Sequence, residues 1–160
     1  MSDQQAPIGF TLFQAAKATS RSFEAFLFGR ERGSLSTWFV LLALQATGSR
    51  TQTDLTALAN IQGPTLTHHL NAMENEGLIC RTRSVSDRRT HLVTITEAGK
   101  TRFRELQVKA KVFDQALRRA LKKEEILTLR GLLGRLSEAA EKVSNLKAGA
   151  DSAAHAPPHR

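Results

Sequence analysis

The chain has 160 residues, of which 41% are hydrophobic and 24% are charged, so it is long enough to bury one hydrophobic core and has the composition of a soluble protein. Its formal net charge of +8 favours a polyanionic partner, with nucleic acid the first candidate and an anionic membrane surface the second. One cysteine excludes an internal disulfide, and neither a secretory signal nor an apolar run of membrane-spanning length is visible, so we expect a cytoplasmic protein with no membrane partner.

The N-terminal third predicts two helices after a short polar tail. Residues 1–7 have the composition of a disordered tail. From Ile8, apolar side chains recur every three or four positions, which predicts an amphipathic helix that ends at Gly29. Ser36 is expected to cap a second helix, from Thr37 to Ala46, and the apolar character of nearly all of that helix predicts that it is buried.

Two shorter helices follow and have the order of a helix-turn-helix. Thr51 and Asp54 predict the start of the first, because the Thr51 hydroxyl can accept from the Asp54 backbone N–H while the carboxylate lies in the first turn. Pro64 suits the first position of the second helix, where its missing N–H would be unbonded anyway. That helix is predicted to run to about Glu76 and to end at Gly77.

A two-stranded ribbon and two long helices complete the predicted order. Residues 78–83 and 91–95 alternate with period two and are rich in β-branched side chains, which predicts strands, and the polar residues 84–90 between them predict a hairpin tip. Thr96 is expected to cap a long amphipathic helix. A brief break at 122–124 precedes a last helix with heptad-like apolar spacing.

These elements predict a mainly α fold with a small β wing, which is a winged helix-turn-helix. We expect the DNA-binding lobe to occupy residues 34–99. The apolar stripes of residues 8–33 and 100–146 are too extensive for that lobe to cover, so these segments are predicted to be dimerisation helices. Residues 147–160 are predicted to form a disordered tail.

The helix that begins at Pro64 carries the predicted base-reading face. Its apolar residues Leu66, Leu70 and Met73 are expected to point inward. Threonine and asparagine can hydrogen-bond base edges, and asparagine can form a paired contact with adenine. The alternative is that the opposite face is an ordinary solvated surface. The candidate DNA-binding residues of that face are Pro64, Thr65, Thr67, His68 and Asn71.

The hairpin and the preceding helix add candidate backbone contacts. An arginine at a hairpin tip can enter the minor groove, and a nearby aspartate can hold its guanidinium in place, which assigns Arg88 and Arg89 to the DNA and Asp87 to their positioning. Arg81 and Arg83 on the strand extend the basic patch. The start of the supporting helix can grip phosphate through backbone N–H groups and hydroxyls. Its candidate residues are Thr51, Gln52 and Thr53.

The combined pattern resembles the multiple-antibiotic-resistance regulator (MarR) family. The runs that carry the resemblance are Gly63–Leu70, Glu76–Ile79, Asp87–Arg89 and the strand-to-helix junction Val93–Gly99. The resemblance implies a homodimeric transcription factor, usually a repressor, on a palindromic operator in double-stranded DNA. It also implies release by a small molecule, often a phenolic or other aromatic acid.

Two residues depart from the family pattern and bear on base reading. Many members carry arginine where this chain has His68, and another basic residue where it has Ala72. We therefore expect base reading that is weaker or differently aimed than in those members, with more of the affinity supplied by the wing and by phosphate contacts.

The resemblance also implies an effector cleft near the second helix. Trp38, Phe26 and Phe23 are candidates to line it, and Arg30 or Ser36 could pair with an acid group. Plain core packing of these aromatic residues is the alternative.

Other reactive residues do not form a recognisable site in the sequence. Cys80 is expected to face inward beside Leu78 as an inert thiol. His68 and His69 are adjacent on a helix and point in different directions, and no zinc-ligand spacing exists, so neither a metal nor a cofactor is predicted. With no Gly-rich phosphate loop, nucleophile elbow or carboxylate pair, no catalytic residue is assigned.

Two other functions remain open on the sequence. A non-specific nucleic-acid-binding protein would use the same net charge without reading a sequence, and a basic helical module could bind a protein partner. A regulator, a non-specific binder and an interaction module differ in whether duplex DNA is bound and whether its sequence matters.

Overall fold

The structure is a computed structural model that describes residues 6–31, 33–59, 63–83 and 91–154. Helices dominate, and three short strands form a small antiparallel sheet, so the predicted fold class is confirmed. In chain order the elements are α1 (Ile8–Phe28), α2 (Leu35–Thr47), β1 (Ser49–Thr51), α3 (Gln52–Ala59), α4 (Gly63–Asn75), β2 (Ile79–Arg83), β3 (His91–Ile95), α5 (Glu97–Arg119) and α6 (Lys123–Ala154).

The chain divides within α5 into two compact units, residues 1–113 and residues 114–160. The first unit holds α1 to β3 and most of α5, with the sheet and the buried core. The dimerisation role that the sequence assigns to residues 8–33 and 100–146, and the lobe boundaries at 34–99, stay predictions.

The turn between α1 and α2 corrects one predicted cap. Gly29 ends α1 with a φ of 55°, as expected of a left-handed C-terminal residue. The N-cap of α2 is Ser34 and not Ser36, because Ser34 has extended backbone angles and its hydroxyl accepts from the Thr37 N–H while the Thr37 hydroxyl accepts from the Ser34 N–H. Ser36 lies in the first turn of α2, where it cannot cap the helix.

The sheet has one strand more than the sequence predicts. Its order is β1-β3-β2, with Arg50 opposite Val93 and Ile79 opposite Ile95. Strand β1 has three residues, two of them short and polar, and it leads straight into α3, so it carries no period-two signal. Gly48, with a φ of 77°, separates α2 from β1 and makes the abrupt change of direction possible.

The predicted boundaries of α3 and α4 are confirmed to within one residue. The Asp54 N–H donates to the Thr51 hydroxyl at 3.1 Å and the Thr51 N–H donates to the Asp54 carboxylate at 3.3 Å, so the predicted start of α3 is a reciprocal cap. Helix α4 begins one residue before Pro64, and Gly77 follows it with a φ of 70°. The residues 60–62 of the predicted turn lie outside the described residues.

One apolar core joins the helices to the sheet. Its members are Leu27, Phe28, Trp38, Val40, Leu41, Leu44, Leu55, Leu66, Leu70, Met73, Leu78, Ile79, Val93, Ile95, Phe103 and Leu106. Helix α2 supplies four of them, but its residues Phe39 and Leu42 are exposed, so the prediction that α2 is buried on nearly all sides is wrong. Cys80 is also exposed, contrary to prediction, because Ile79 takes the inward position opposite Ile95 and alternation then turns Cys80 outward.

The junction between the sheet and α5 explains why glycine stands at position 99. The Thr96 hydroxyl accepts from the Gly99 N–H at 3.0 Å and donates to the Gly77 carbonyl at 2.6 Å, so Thr96 caps α5 as predicted and ties it to the end of the α4 turn. A Cβ at Gly99 would lie 2.1 Å from the Leu78 carbonyl oxygen, a backbone atom that cannot move aside cheaply. Close packing of α5 against this backbone therefore requires glycine.

The second unit contains the end of α5 and all of α6. The break between α5 and α6 falls at 120–122, slightly earlier than predicted. At the start of α6 the Lys122 N–H donates to the Glu125 carboxylate at 2.7 Å. Helix α6 continues to Ala154, so the prediction of disorder is wrong for 147–154. That stretch contains four alanines, and alanine has the highest helix propensity of any residue. Residues 155–160 lie outside the described residues.

Candidate nucleic-acid interface

Helix α4 has one fully buried face and one exposed polar face. Leu66, Leu70 and Met73 are 0 to 2% exposed and hold the helix against the core. Thr65 and Asn71 are exposed on the other side of the helix. Because three buried anchors fix its axis and rotation, α4 presents its polar side chains as a rigid set.

The exposed face of α4 contains most of the residues that the sequence assigns to base reading. Pro64, Thr65, His68 and Asn71 are exposed, and so is Ala72, where many relatives have a basic residue. The protein surface therefore offers these side chains to a ligand without rearrangement of the core.

Thr67 is half-buried, unlike the exposed residues of this face, and its hydroxyl is bonded inside the protein. It accepts from the Gln52 side-chain amide at 2.7 Å and donates to the Gly63 carbonyl at 3.0 Å. Gln52, at the start of α3, is thereby bonded to α4, whereas Thr53 beside it is exposed. This arrangement fixes the angle between the two helices of the helix-turn-helix.

A second connection joins α4 to strand β2. The Arg81 guanidinium donates from Nε to the Glu74 carboxylate at 2.9 Å and from Nη2 to the Asn71 side-chain oxygen at 2.7 Å. The Arg81 backbone N–H donates to the other Glu74 oxygen at 3.0 Å. The side-chain hydrogen bond from Arg81 holds the pKa of Glu74 below its usual range, against the opposing effect of burial. Glu74 is therefore ionised at neutral pH and fixes the pose of Arg81.

An open groove of about 410 Å³ lies between the reading helix and the sheet. Among the described residues, Gln52, Thr67 and Glu74 line it on the helical side, and Arg81 and His91 line it on the strand side. All of these side chains are polar or charged. An edge of a polar polymer can enter such an open groove more readily than a small apolar ligand.

The wing itself is described only at its base. Arg83 is exposed at the end of β2, opposite His91 in the antiparallel register. The predicted contacts of Asp87, Arg88 and Arg89 lie outside the described residues. The sequence predicts Arg81 only as part of the basic patch and gives no role to Glu74 or His91, although Glu74 and Arg81 flank the predicted helix-to-strand turn and have opposite charge.

The candidate effector residues lie in an aromatic cluster. The Trp38 ring stacks on Phe103 with centroids 5.4 Å apart, and Phe23 meets the edge of Trp38 at 6.3 Å. Phe113 contacts both Phe23 and Phe26. Trp38 is only 8% exposed, whereas Phe26 is 46% exposed, so the cluster runs from the core to the surface. Arg30 is exposed and Ser36 is half-buried.

An ion-pair cluster fastens the end of α1 to α5 beside those rings. Arg102 bonds the Glu31 carboxylate at 2.7 Å, and Lys109 donates to the Leu27 carbonyl at 2.9 Å. The hydrogen bond from Arg102 keeps the pKa of Glu31 below its usual range. Lys109 places positive charge at the C-terminus of α1, where the helix dipole favours it.

Two further searches bear on the function. Within the described ranges, no cluster of three or more His, Cys, Asp and Glu side chains could hold a metal ion. Among the described helices, none combines the length and the apolarity that crossing a bilayer demands.

Comparison with known proteins finds a match to one family. The model of the MarR family matches residues 34–91, which run from the N-cap of α2 to the first residue of β3 and include the whole helix-turn-helix. Over these residues the chain is similar to the MarR family, as the sequence predicts, and the winged helix-turn-helix fold is confirmed.

Individual relatives of this chain are transcriptional regulators and not enzymes. An uncharacterised HTH-type transcriptional regulator of Bacillus subtilis, YwoH, is 32% identical over 82 residues, and the match spans 51% of this chain and 59% of YwoH. The transcriptional repressor CouR, solved on a 23-mer DNA duplex, is 26% identical with a TM-score of 0.76, over 86% of this chain and 96% of CouR. NadR in complex with 4-hydroxyphenylacetate is 26% identical with a TM-score of 0.67, over 85% and 96% of the two chains.

Proposed function

We propose that this chain is a homodimeric transcriptional repressor of the MarR family that binds a palindromic operator with α4 in the major groove. The observation that carries the proposal is the exposed polar face of α4, held by three buried anchors on its opposite side. A helix presented in this way fits the width of the major groove, and its Thr, His and Asn side chains can hydrogen-bond base edges. The relative CouR, a repressor solved on duplex DNA, supports the same assignment.

We assign phosphate contacts to the residues on either side of α4. Thr51 and Thr53 lie at the start of α3, where backbone N–H groups attract anions, and Arg83 lies at the base of the wing. Arg88 and Arg89 of the tip are proposed to enter the minor groove with Asp87 as their positioning residue, on the evidence of the sequence. The net charge of +8 favours all of these contacts.

Selection of bound duplexes from a random pool tests the proposal and separates it from its two rivals. A two-fold reader enriches an inverted repeat whose half-sites lie about 34 Å apart, one helical turn of DNA. A non-specific binder would retain duplexes without enriching any sequence, with steep salt dependence. An interaction module would retain no DNA.

Two point variants separate base reading from phosphate binding. Thr65→Ala is expected to relax the preference at one operator position and to weaken binding there by about 1–3 kcal/mol. Arg83→Ala is expected to weaken binding to all sequences equally and to reduce the salt slope by about 1. Lys142→Ala removes a charge from α6 and serves as the control, with binding and salt slope unchanged.

The homodimer is proposed from apolar side chains that remain exposed. Ile8, Phe10 and Phe13 of α1 are 55 to 67% exposed, and α6 exposes Leu127 and Leu132. Monomers rarely leave so many large apolar residues in water, so a second copy is the simplest cover. Sedimentation should give a dimer, and Phe13→Glu should shift it toward monomer while Gln14→Glu does not. A monomeric wild-type chain at micromolar concentration would refute this part.

We further propose that a small aromatic acid releases the repressor from DNA. Supporting this, the aromatic cluster around Trp38 reaches the surface at Phe26 with the exposed Arg30 nearby in sequence, and the relative NadR binds 4-hydroxyphenylacetate. Trp38 is the single tryptophan, so its fluorescence reports on this cluster alone. A panel of phenolic acids should contain one that changes the fluorescence and lowers operator affinity at the same concentration. A panel without effect on either measurement would contradict the proposal.

A further inference from the structure

The contact between Arg81 and Asn71 fixes which way the Asn71 amide faces. A guanidinium carries only hydrogen-bond donors, so the Asn71 atom 2.7 Å from Arg81 Nη2 must be the side-chain oxygen. The Asn71 nitrogen then lies on the other arm of the amide, away from Arg81. Because Asn71 is exposed on the reading face of α4, that nitrogen is the polar atom it offers to a ligand.

Glu74 prevents Arg81 from releasing this contact easily. Both Glu74 oxygens accept from Arg81, one from the backbone N–H at 3.0 Å and the other from Nε at 2.9 Å. Asn71 and Glu74 are three residues apart on α4, so the two acceptors lie on neighbouring positions of one helix face. Strand β2 therefore holds the guanidinium against α4 through both main-chain and side-chain bonds.

This arrangement conflicts with the paired contact that asparagine usually makes with adenine. That contact needs the amide oxygen to accept from adenine N6 while the amide nitrogen donates to N7. Here that oxygen already accepts from Arg81 Nη2, so the N6 amino group would have to compete with the guanidinium for it. Guanine, through O6 and N7, and thymine, through O4, ask only for a donor, whereas adenine offers a donor only its N7, beside the N6 amino group.

We propose that Arg81 is a positioning residue that makes Asn71 a donor-only reader, so that Asn71 prefers guanine or thymine to adenine. The inference rests on the proposed function, since it requires α4 to lie in the major groove. It goes beyond that function because it names the base chemistry at one operator position and the wing residue that sets it.

Duplex selection with matched variants tests the inference. Asn71→Ala is expected to abolish the base preference at one position of the selected sequences, which is the Asn71-dependent column of the sequence profile. In the wild-type profile that column should hold guanine or thymine. Asn75→Ala is the control, an exposed asparagine one turn further along the same helix, and should leave the profile unchanged. Adenine in the Asn71-dependent column would overturn the inference.

The role of Arg81 has its own readout. Arg81→Met keeps the aliphatic stem but removes the donors, and adenine should rise in the Asn71-dependent column because the amide is free to rotate. Arg81→Lys restores a positive donor and should retain the wild-type preference. A column that does not respond to Arg81→Met in a folded variant would show that the contact does not set specificity.

A measurement on the wild-type chain avoids any dependence on variant folding. Placing adenine in the Asn71-dependent column should weaken binding about tenfold, within the range for a single mismatched contact. Equal affinity for adenine and for guanine or thymine would overturn the inference and leave the proposed function standing. Failure of the wild-type chain to enrich any sequence would overturn both.

Discussion

The lobe of residues 34–99 buries most of its large apolar side chains, whereas the terminal helices α1 and α6 leave many of theirs exposed. In the lobe, Leu66 and Leu70 of α4 are fully buried, and the exposed face of the same helix is polar. In α1, Ile8 and Phe13 remain exposed on a helix that carries no acidic residue in its first turn. A polar surface beside a complete core suits a polar ligand, whereas a group of large exposed apolar side chains suits an apolar partner.

The contrast identifies which part of the molecule is complete in one chain. The lobe buries its own apolar core, and helix caps and hydrogen bonds between helices, such as the one from Gln52 to Thr67, fix its helices. Helix α6 has apolar side chains such as Leu129 and Leu133 that are exposed in the single chain. We therefore expect changes in the lobe to act on folding in one chain, and changes at the exposed residues to act on association.

The strongest test of this contrast deletes a buried side chain in the lobe. Leu66→Ala is expected to lower the free energy of unfolding by about 2–5 kcal/mol, because a fully buried leucine leaves a cavity. Leu58→Ala on α3, where the side chain is 57% exposed, is the control and should cost about 0.5 kcal/mol or less. Urea unfolding at one fixed protein concentration measures both. Equal costs would show that the core assignment is wrong.

The sequence predicted the lobe well because its signals are local. Thr51 and Asp54 form the reciprocal cap that their spacing predicts, and Gly77 ends the helix and turns the chain into β2. Strand β3 has the predicted bounds, 91–95. Each of these features depends on residues within four positions of one another, which is the range over which sequence patterns are informative.

A second test compares two glycines, one in each of the contrasted regions. Gly99→Ala should destabilise the fold by about 1–3 kcal/mol, because its Cβ would overlap the Leu78 carbonyl oxygen. Gly131→Ala in α6 meets nothing within 4 Å and should stabilise the helix by about 0.5–1 kcal/mol through helix propensity. Thermal unfolding of both variants shows whether each substitution lowers or raises the stability. Destabilisation of similar size at both positions would contradict the contrast.

The features that the sequence missed depend on contacts between residues far apart in the chain, or on which of two neighbouring residues takes a given position. Arg81 bonds Asn71 ten positions away, and nothing in the period of either element indicates that contact. Strand β1 exists only because β3 pairs with it. Cys80 faces outward because register with β3 selects Ile79 for the core, and a shift of one residue exchanges the two faces of a strand.

The N-cap of α2 is a second such case, because the structure places Ser34 where the sequence predicts Ser36. Ser34→Ala should cost about 1 kcal/mol, since it removes the acceptor for the Thr37 N–H. Ser36→Ala should change the stability by less, because Ser36 lies inside the first turn and does not cap α2. Urea unfolding of the two variants under identical conditions compares them. A larger loss for Ser36→Ala would restore the cap that the sequence predicts.

The smallest expected effect lies at the surface of the lobe and depends on pH. Because Arg81 lowers the folded-state pKa of Glu74 below 4.5, the stabilisation by the carboxylate is fully present above pH 4.5. It is lost as the pH falls through the lowered folded-state pKa. Glu74→Gln should therefore cost about 0.2–1 kcal/mol at neutral pH, the range of partly exposed ion pairs, and progressively less in acid.

Measuring this difference requires a control for general acid destabilisation. Glu76→Gln removes a neighbouring exposed carboxylate that makes no ion pair among the described residues, and its effect on urea unfolding is subtracted at each pH. If the Glu74→Gln difference stays constant from neutral pH to well below pH 4.5, the ion pair does not contribute to stability. Arg81 would then be held against Asn71 by packing of its stem, and protonation of Glu74 would leave the reading face unchanged.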